Sequence, residues 1–305
     1  MRSKHVYASV DLFKDYLAGD TYADNWADDI TVIRTILESA SRTIEAYVGD
    51  RSFAPYISTR EYDLGIGELR NRSELPRDSH RILPTDPVLG VVPLDDWLTA
   101  IPTTVTAYDA TVRNSSTVLT EGLTNDYILE PYPQAPYHTL KLSDDTTNNL
   151  SQGQKTLTIL GSWGWQDEVL NGDTLNGSIN ATATTVIKTN ADAGIYPGDT
   201  ILIDSEQMYV RAKNGTNLTV FRGVNGTTAA THADDANIYT YLYPADVVEA
   251  CLAIARDRWR SREAGTTAII GAGGATIARP GAEVRAILRG LDNYKQTRDL
   301  AGMYF

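Results

Sequence analysis

PADVVEACLAIARDRWRSR, residues 244–262, opens on a helix-start signal and closes in alternating arginines. Proline suits a first helical turn, because the N–H it lacks would find no intrahelical partner there, and Asp246 and Glu249 complement the positive end of the helix dipole. Val247, Ala250, Cys251, Ile254 and, a turn later, Trp259 recur at helical spacing and form one apolar face. The other side carries Arg256, Arg260 and Arg262. An amphipathic helix needs something to pack on, and a matching one lies near the start of the chain. There Ile30, Ile33, Leu37, Ala40, Ile44 and Tyr47 repeat at intervals of three and four, between Asp28-Asp29 and a Gly49 stop. Pairing Ile33, Leu37 and Ile44 with Val247, Ile254 and Trp259 would join the two ends of the chain in one core.

Between these helices the periodicity changes. TREYDLG (59–65), RILPTDPVLGVVPLDDWL (81–98), TVTAYDATVR (104–113), NDYILEPYPQAPYHTLKL (125–142) and KTLTILGSWGW (155–165) read as short strands, with prolines at edges and turns. Residues 170–241 have another texture, rich in Thr, Asn and Gly. TTVIKT, DTILID, EQMYVRA, NLTVFRG and ANIYTYLY alternate apolar and polar residues, and Pro197-Gly198, Asp204-Ser205, Asn214-Gly215 and Asn225-Gly226 supply turns. The predicted fold is therefore α+β: a helical core with a small antiparallel sheet over 1–168 and 244–305, plus an all-β domain inserted at 170–241. Ser9 is expected to cap a short first helix from Val10 to Leu17. A last helix is expected to start at Pro280 and Glu283, with Val284, Ile287, Leu288, Leu291 and Tyr294 as its apolar stripe and Arg285 and Arg289 beside it.

The totals fit a soluble globular protein of roughly two domains: 305 residues, 42% hydrophobic and 22% charged. No apolar run approaches the roughly 20 residues that span a bilayer, and the first residues lack an apolar signal core, which predicts a cytosolic protein or one carried in a particle assembled there. The net charge of -12 is uneven: from Pro244 onward nine Lys/Arg face seven Asp/Glu, against 18 and 32 before it. Such an acidic body is a poor nucleic-acid binder, because that affinity comes largely from neutralising phosphates.

Site chemistry is sparse. His5, His80, His138 and His232 fall in four separate segments, without the spacing of a helical zinc motif. Gly271, Gly273 and Gly274 lack the Lys-Ser/Thr pair of a phosphate loop, and GSWGW at 161–165 lacks the spacing of a nucleophile elbow. Cys251, the single cysteine, falls on the apolar helix face and reads as a packing residue. The expectation is no enzyme, no cofactor and no metal. Tyr209, Phe221, Tyr239, Tyr241 and Tyr243 leave one alternative, a virion or cell-surface binding protein whose β-domain stacks on a glycan.

In their order, ITVIRTILESASRTIEAYVGDRSF, LPTDPVLGVVPL, YILEPYPQAPYHTLKL, LTILGSWGW and PADVVEACLAIARDRWRSRE resemble the head-tail connector, or portal adaptor, proteins of tailed bacteriophages. GDTILIDSEQMYVRA with LTVFRGVNGTTAATH is similar to a β-module of phage structural proteins. The resemblance covers 1–168 and 244–305. It implies a non-enzymatic ring, commonly of twelve subunits, at the neck of a virion assembled in the host cytoplasm. The implied partners are the portal protein, docked through the C-terminal segment, and a tail or stopper protein. DNA would pass through the ring without specific binding, and no membrane is involved. Arg279, Arg285, Arg289, Tyr294, Tyr304 and Phe305 are the residues expected at the portal.

Overall fold

The computed structural model describes residues 4–18, 29–64, 91–109, 115–143, 153–191, 194–263 and 282–295. Four α-helices and thirteen strands lie among them. The helices are α1 (Val10–Tyr16), α2 (Ile30–Tyr47), α3 (Ala245–Glu263) and α4 (Ala282–Arg289). Contacts divide the chain into two compact units, residues 52–167 and residues 1–51 with 168–305.

The unit of residues 52–167 is a seven-stranded antiparallel sheet. It contains β1 (Tyr56–Leu64), β2 (Val91–Leu98), β3 (Thr104–Tyr108), β4 (Ser116–Leu119), β5 (Tyr127–Glu130), β6 (Tyr137–Leu142) and β7 (Gly153–Trp163), in the order β4-β3-β7-β2-β6-β5 with β1 also on β7. The eleven-residue β7 is the spine, pairing along its whole length with β1 from Tyr56↔Trp163 to Leu64↔Gly153. Leu94, Leu98, Leu140, Leu157, Ile159 and Trp163 are wholly buried in its core. The Arg60 guanidinium lies 4.5 Å from the Trp163 ring centroid and 3.1 Å from the buried Asp96, which also accepts from the Tyr56 hydroxyl at 2.7 Å. A buried charge here has both a counter-ion and hydrogen bonds, as burial requires. Gly164 closes the strand at φ +140°, where a Cβ would meet the Ala54 carbonyl oxygen at 2.6 Å, so only glycine fits.

The other unit carries all the described helices and a second sheet: β8 (Val169–Thr174), β9 (Thr185–Ile187), β10 (Thr200–Ile203), β11 (Glu206–Asn214), β12 (Asn217–Phe221) and β13 (Asn237–Tyr241), ordered β8-β13-β10-β11-β12-β9. Its end strands meet. Leu175 bridges to Lys188, and the Asn176 and Thr189 amides donate to the carbonyls of Ile187 and Thr174 at 2.7 and 3.0 Å. The sheet thus curls nearly into a barrel, which removes exposed edges. Leu175, Val186, Ile195, Ile201, Met208, Val210, Leu218 and Ile238 fill it.

These findings correct the expected fold class. Of the described residues 38% are strand and 24% helix, arranged in two sheets, so the molecule is mostly β and is not a helical adaptor core with an inserted domain. The physical reason is visible in the second unit. The N-terminal segment and α2 bond straight to the nearly closed sheet: the Lys4 amide donates to Asn225 Oδ1 at 2.6 Å, Thr200 Oγ1 to the Lys4 carbonyl at 2.6 Å, and Arg34 to the Arg211 carbonyl at 2.8 Å. The Tyr209 hydroxyl donates to Glu38. Gly198, at φ +106°, lets the chain approach Val6 so closely that a Cβ would sit 3.2 Å from its side chain. Sequence reading groups the helices with the first sheet; the contacts group them with the second.

At this seam Asp199 accepts from the Tyr196 amide at 2.8 Å, and burial pushes its carboxyl up to about 7 against the pull of that bond and of Lys213. A raised carboxyl binds its proton more tightly folded than unfolded, so stability declines as pH rises from about 4 to 7. Asp199→Asn keeps the acceptor and removes the charge. It should raise stability by on the order of 2 kcal/mol at pH 8 and by little at pH 4, measured by urea melts at both pH values.

Candidate functional site

Helices α2 and α3 pack on each other within this unit. Ile33, Leu37, Ile44 and Val247 are wholly buried, and Ile254 and Trp259 nearly so. Ser41 and Cys251 meet at 3.6 Å, Arg258 donates to Thr43 Oγ1 at 2.6 Å, and the edge of Phe13 in α1 approaches Trp259 with centroids 6.4 Å apart. Burial pushes the Cys251 thiol up to about 11, which leaves it protonated and inert at neutral pH.

The arginines of α3 emerge from this packing. Arg256 lies 5.8 Å from the Tyr16 ring centroid, and Arg262 reaches Asp29 at 3.3 Å. Helix α4 lies beside α3 and closes a shallow cleft of about 30 Å³ lined by Ala253, Arg256, Asp257, Arg260 and Val284. Arg285 and Arg289, a turn apart on α4, are exposed, while Leu288 and Leu291 are buried. Tyr294 is half-buried, and its hydroxyl donates to Asp246 at 3.1 Å. Asp292 accepts from Tyr47 at 2.7 Å and pairs with Lys295 at 2.8 Å, which holds the end of α4 against α2. The structure therefore sets Val284 of α4 against the α3 face that carries Arg256 and Arg260, leaves Arg285 and Arg289 exposed on α4, and ties Tyr294 to the start of α3. Arg279, Tyr304 and Phe305 lie outside the described residues, as do His80, the glycines at 271–274 and the LPTDPVLG stretch.

Two histidines enter networks that spacing did not indicate. His232 stands between Asp204 and Glu206, Nδ1 2.6 Å from Asp204 Oδ2 and Nε2 2.9 Å from Glu206 Oε2. Glu206 is wholly buried, and Arg222 grips it with two bonds of 2.7 and 2.8 Å. The Gly223 and Ala230 amides add one bond each at 2.9 Å. Burial alone would raise this carboxyl, but the bonds from Arg222, His232 and the two amides outweigh it and hold it at about 2. Arg222 also donates to the carbonyls of Asn180, Ala183 and Ala230. The cluster is a latch that ties three loops to one end of the curled sheet. His5, nearly wholly buried, sits 2.7 Å from Glu45, which also accepts from Tyr7 at 2.7 Å and pairs with Arg42 at 2.7 Å. Burial, and then Arg42, push this imidazole below its ordinary value. It pins the N-terminal segment to α2.

The five aromatics of the β-block do not share one exposure. Tyr209 is buried, Tyr239, Tyr241 and Tyr243 are half-buried, and Phe221 is 41% exposed. Among the described residues no group of three or more His, Cys, Asp or Glu is placed to hold a metal ion, and no helix is long and apolar enough to cross a membrane. The sequence matches no protein-family model and no curated relative.

Proposed function

We propose that the chain is a structural head-tail connector of a tailed phage, a ring-forming subunit beneath the portal that joins head to tail around the DNA channel. The reading rests on the sequence resemblance, and one structural observation carries the docking part of it. In a protein of net charge -12, two helices in contact each expose arginines, Arg260 on α3 and Arg285 and Arg289 on α4. A cationic face on an acidic protein fits an acidic partner surface, here the portal, and charges at such a rim govern encounter and orientation. The acidic remainder suits a channel through which DNA slides without sticking.

Mixing the protein with purified portal rings tests this directly, with complex mass as the readout. A ring on the portal is expected; a monomer that never joins a portal overturns the reading. Arg285→Glu with Arg289→Glu should weaken portal association about tenfold or more at 0.15 M salt, since like charges across the interface would then repel. Both side chains are exposed, so the melting temperature should stay unchanged, and unaltered association would refute their docking role.

A further inference from the structure

At the middle of β11 the pairing with β12 slips. Val210 faces Val220 and Ala212 faces Thr219, which leaves Arg211 as the extra residue of a bulge. Its guanidinium comes to rest 4.4 Å from the Phe221 ring centroid, and Lys4 Nζ lies 4.9 Å from the same centroid. Phe221 in turn stacks on the buried Tyr209, 6.5 Å between centroids at 17°. Lys4 is fixed by its backbone, bonded on both sides to Asn225 and Thr200, so the patch is preorganised. Both cations are exposed, and neither forms an ion pair among the described residues. Glu38, the carboxylate of this seam, is occupied by Arg34 and Tyr209.

Opposite charge gathers at the β10–β11 turn of the same sheet. Asp204, in the β10–β11 turn, and Asp234 and Asp235, in the loop before β13, are exposed, and the His232 latch holds that turn and loop together. Phe221 pairs with Tyr209, three residues along β11 from the latched Glu206, about 10 Å at the rise of an extended chain. The curled sheet thus carries two distinct patches, an acidic turn end and a neighbouring cationic-aromatic flank.

We propose that the Lys4–Arg211–Phe221 patch docks the acidic end, Asp204 with Asp234 and Asp235, of a second copy of this chain. Two different patches on one subunit make a head-to-tail contact, and such contacts generate rings when the rotation closes. The proposal deepens the connector reading and rests on it for the ring. A nucleic acid, the other anionic occupant, is separated from a second copy by the test that follows.

The test is sedimentation of the full chain, alone and on portal rings, across a salt series. Wild type should self-associate in a salt-sensitive way, and Lys4→Glu with Arg211→Glu should weaken that at least tenfold without changing the melting temperature. Mixing that variant with Asp234→Lys/Asp235→Lys chains should restore association. Unchanged self-association in the charge-reversed variant overturns the proposal, as does a failure of the swapped pair to recover. So does binding of a labelled oligonucleotide that is lost on charge reversal while self-association persists. Portal attachment is scored separately: single subunits bound to a portal would sink the patch contact and leave the docking role standing, and self-association without portal binding would do the reverse.

Discussion

Glu206→Gln should destabilise the unit of residues 1–51 and 168–305 by about 3–5 kcal/mol, the cost of removing one partner from a buried ion pair. Glu206 is wholly buried and Arg222 nearly so, and the amide cannot neutralise the guanidinium it would still face. The size of the effect depends on more than the pair. Glu206 also accepts from Gly223 and Ala230, and Arg222 donates to three carbonyls, so replacing both residues with apolar ones would strand five backbone groups. A Glu206→Leu/Arg222→Met double variant should therefore not recover, unlike an ion pair standing alone. The sign in acid follows from the same carboxyl. Held at about 2 when folded against 4.5 ordinarily, it contributes stability present above about 4.5 and lost as pH falls toward 2. Wild type and Glu206→Gln should converge in stability as pH falls through that window, which urea melts at pH 7, 4.5 and 3 would check.

Trp259→Ala should cost about 3–5 kcal/mol, the range for emptying a large aromatic site in a core. The ring is 3% exposed and meets Phe13 edge to face, and deleting it leaves a hole where α1 and α3 touch. The described helices all lie in one unit, so circular dichroism at 222 nm follows that unit most directly. A fall in its melting temperature of about 10 °C or more is expected for a unit of this size. A fall of only a degree or two would mean that the site collapses around the loss.

Much of this architecture is local in origin and could be read from the chain. The three-and-four repeat of α2 and α3 needs only the helical period, and Asn214-Gly215 and Asp204-Ser205 fall in the turns their chemistry specifies; Asp204 takes φ +52° and Gly215 +58°. Ser9 caps α1, accepting from Leu12 at 3.1 Å. What could not be read is which bodies these elements join. Arg34 and Arg211 are 177 residues apart and meet through a guanidinium and a main-chain carbonyl, a bond that leaves no pattern in either segment. The size of the first sheet is hidden for a related reason. Strands such as β1 and β7 are stabilised by one another across about 100 residues, while a helix shows its period within itself. At the candidate site the arginine rows of α3 and α4 were visible as spacing. The Lys4–Arg211–Phe221 patch was not, because the bulge that leaves Arg211 unpaired exists only in the pairing of β11 with β12.

The bonds from Lys4 to Asn225 and Thr200 bear on how portable the β-block is. Cut out as residues 169–243, it would leave behind the segment that covers the Tyr209 ring and the Asn225 amide, and would strip Glu38 from the Tyr209 hydroxyl. The block reads as a cassette in the sequence, yet it is finished by residues nearly 200 positions away. A graft into another protein would have to bring Lys4 to Ser9 and the Arg34–Glu38 turn of α2 with it.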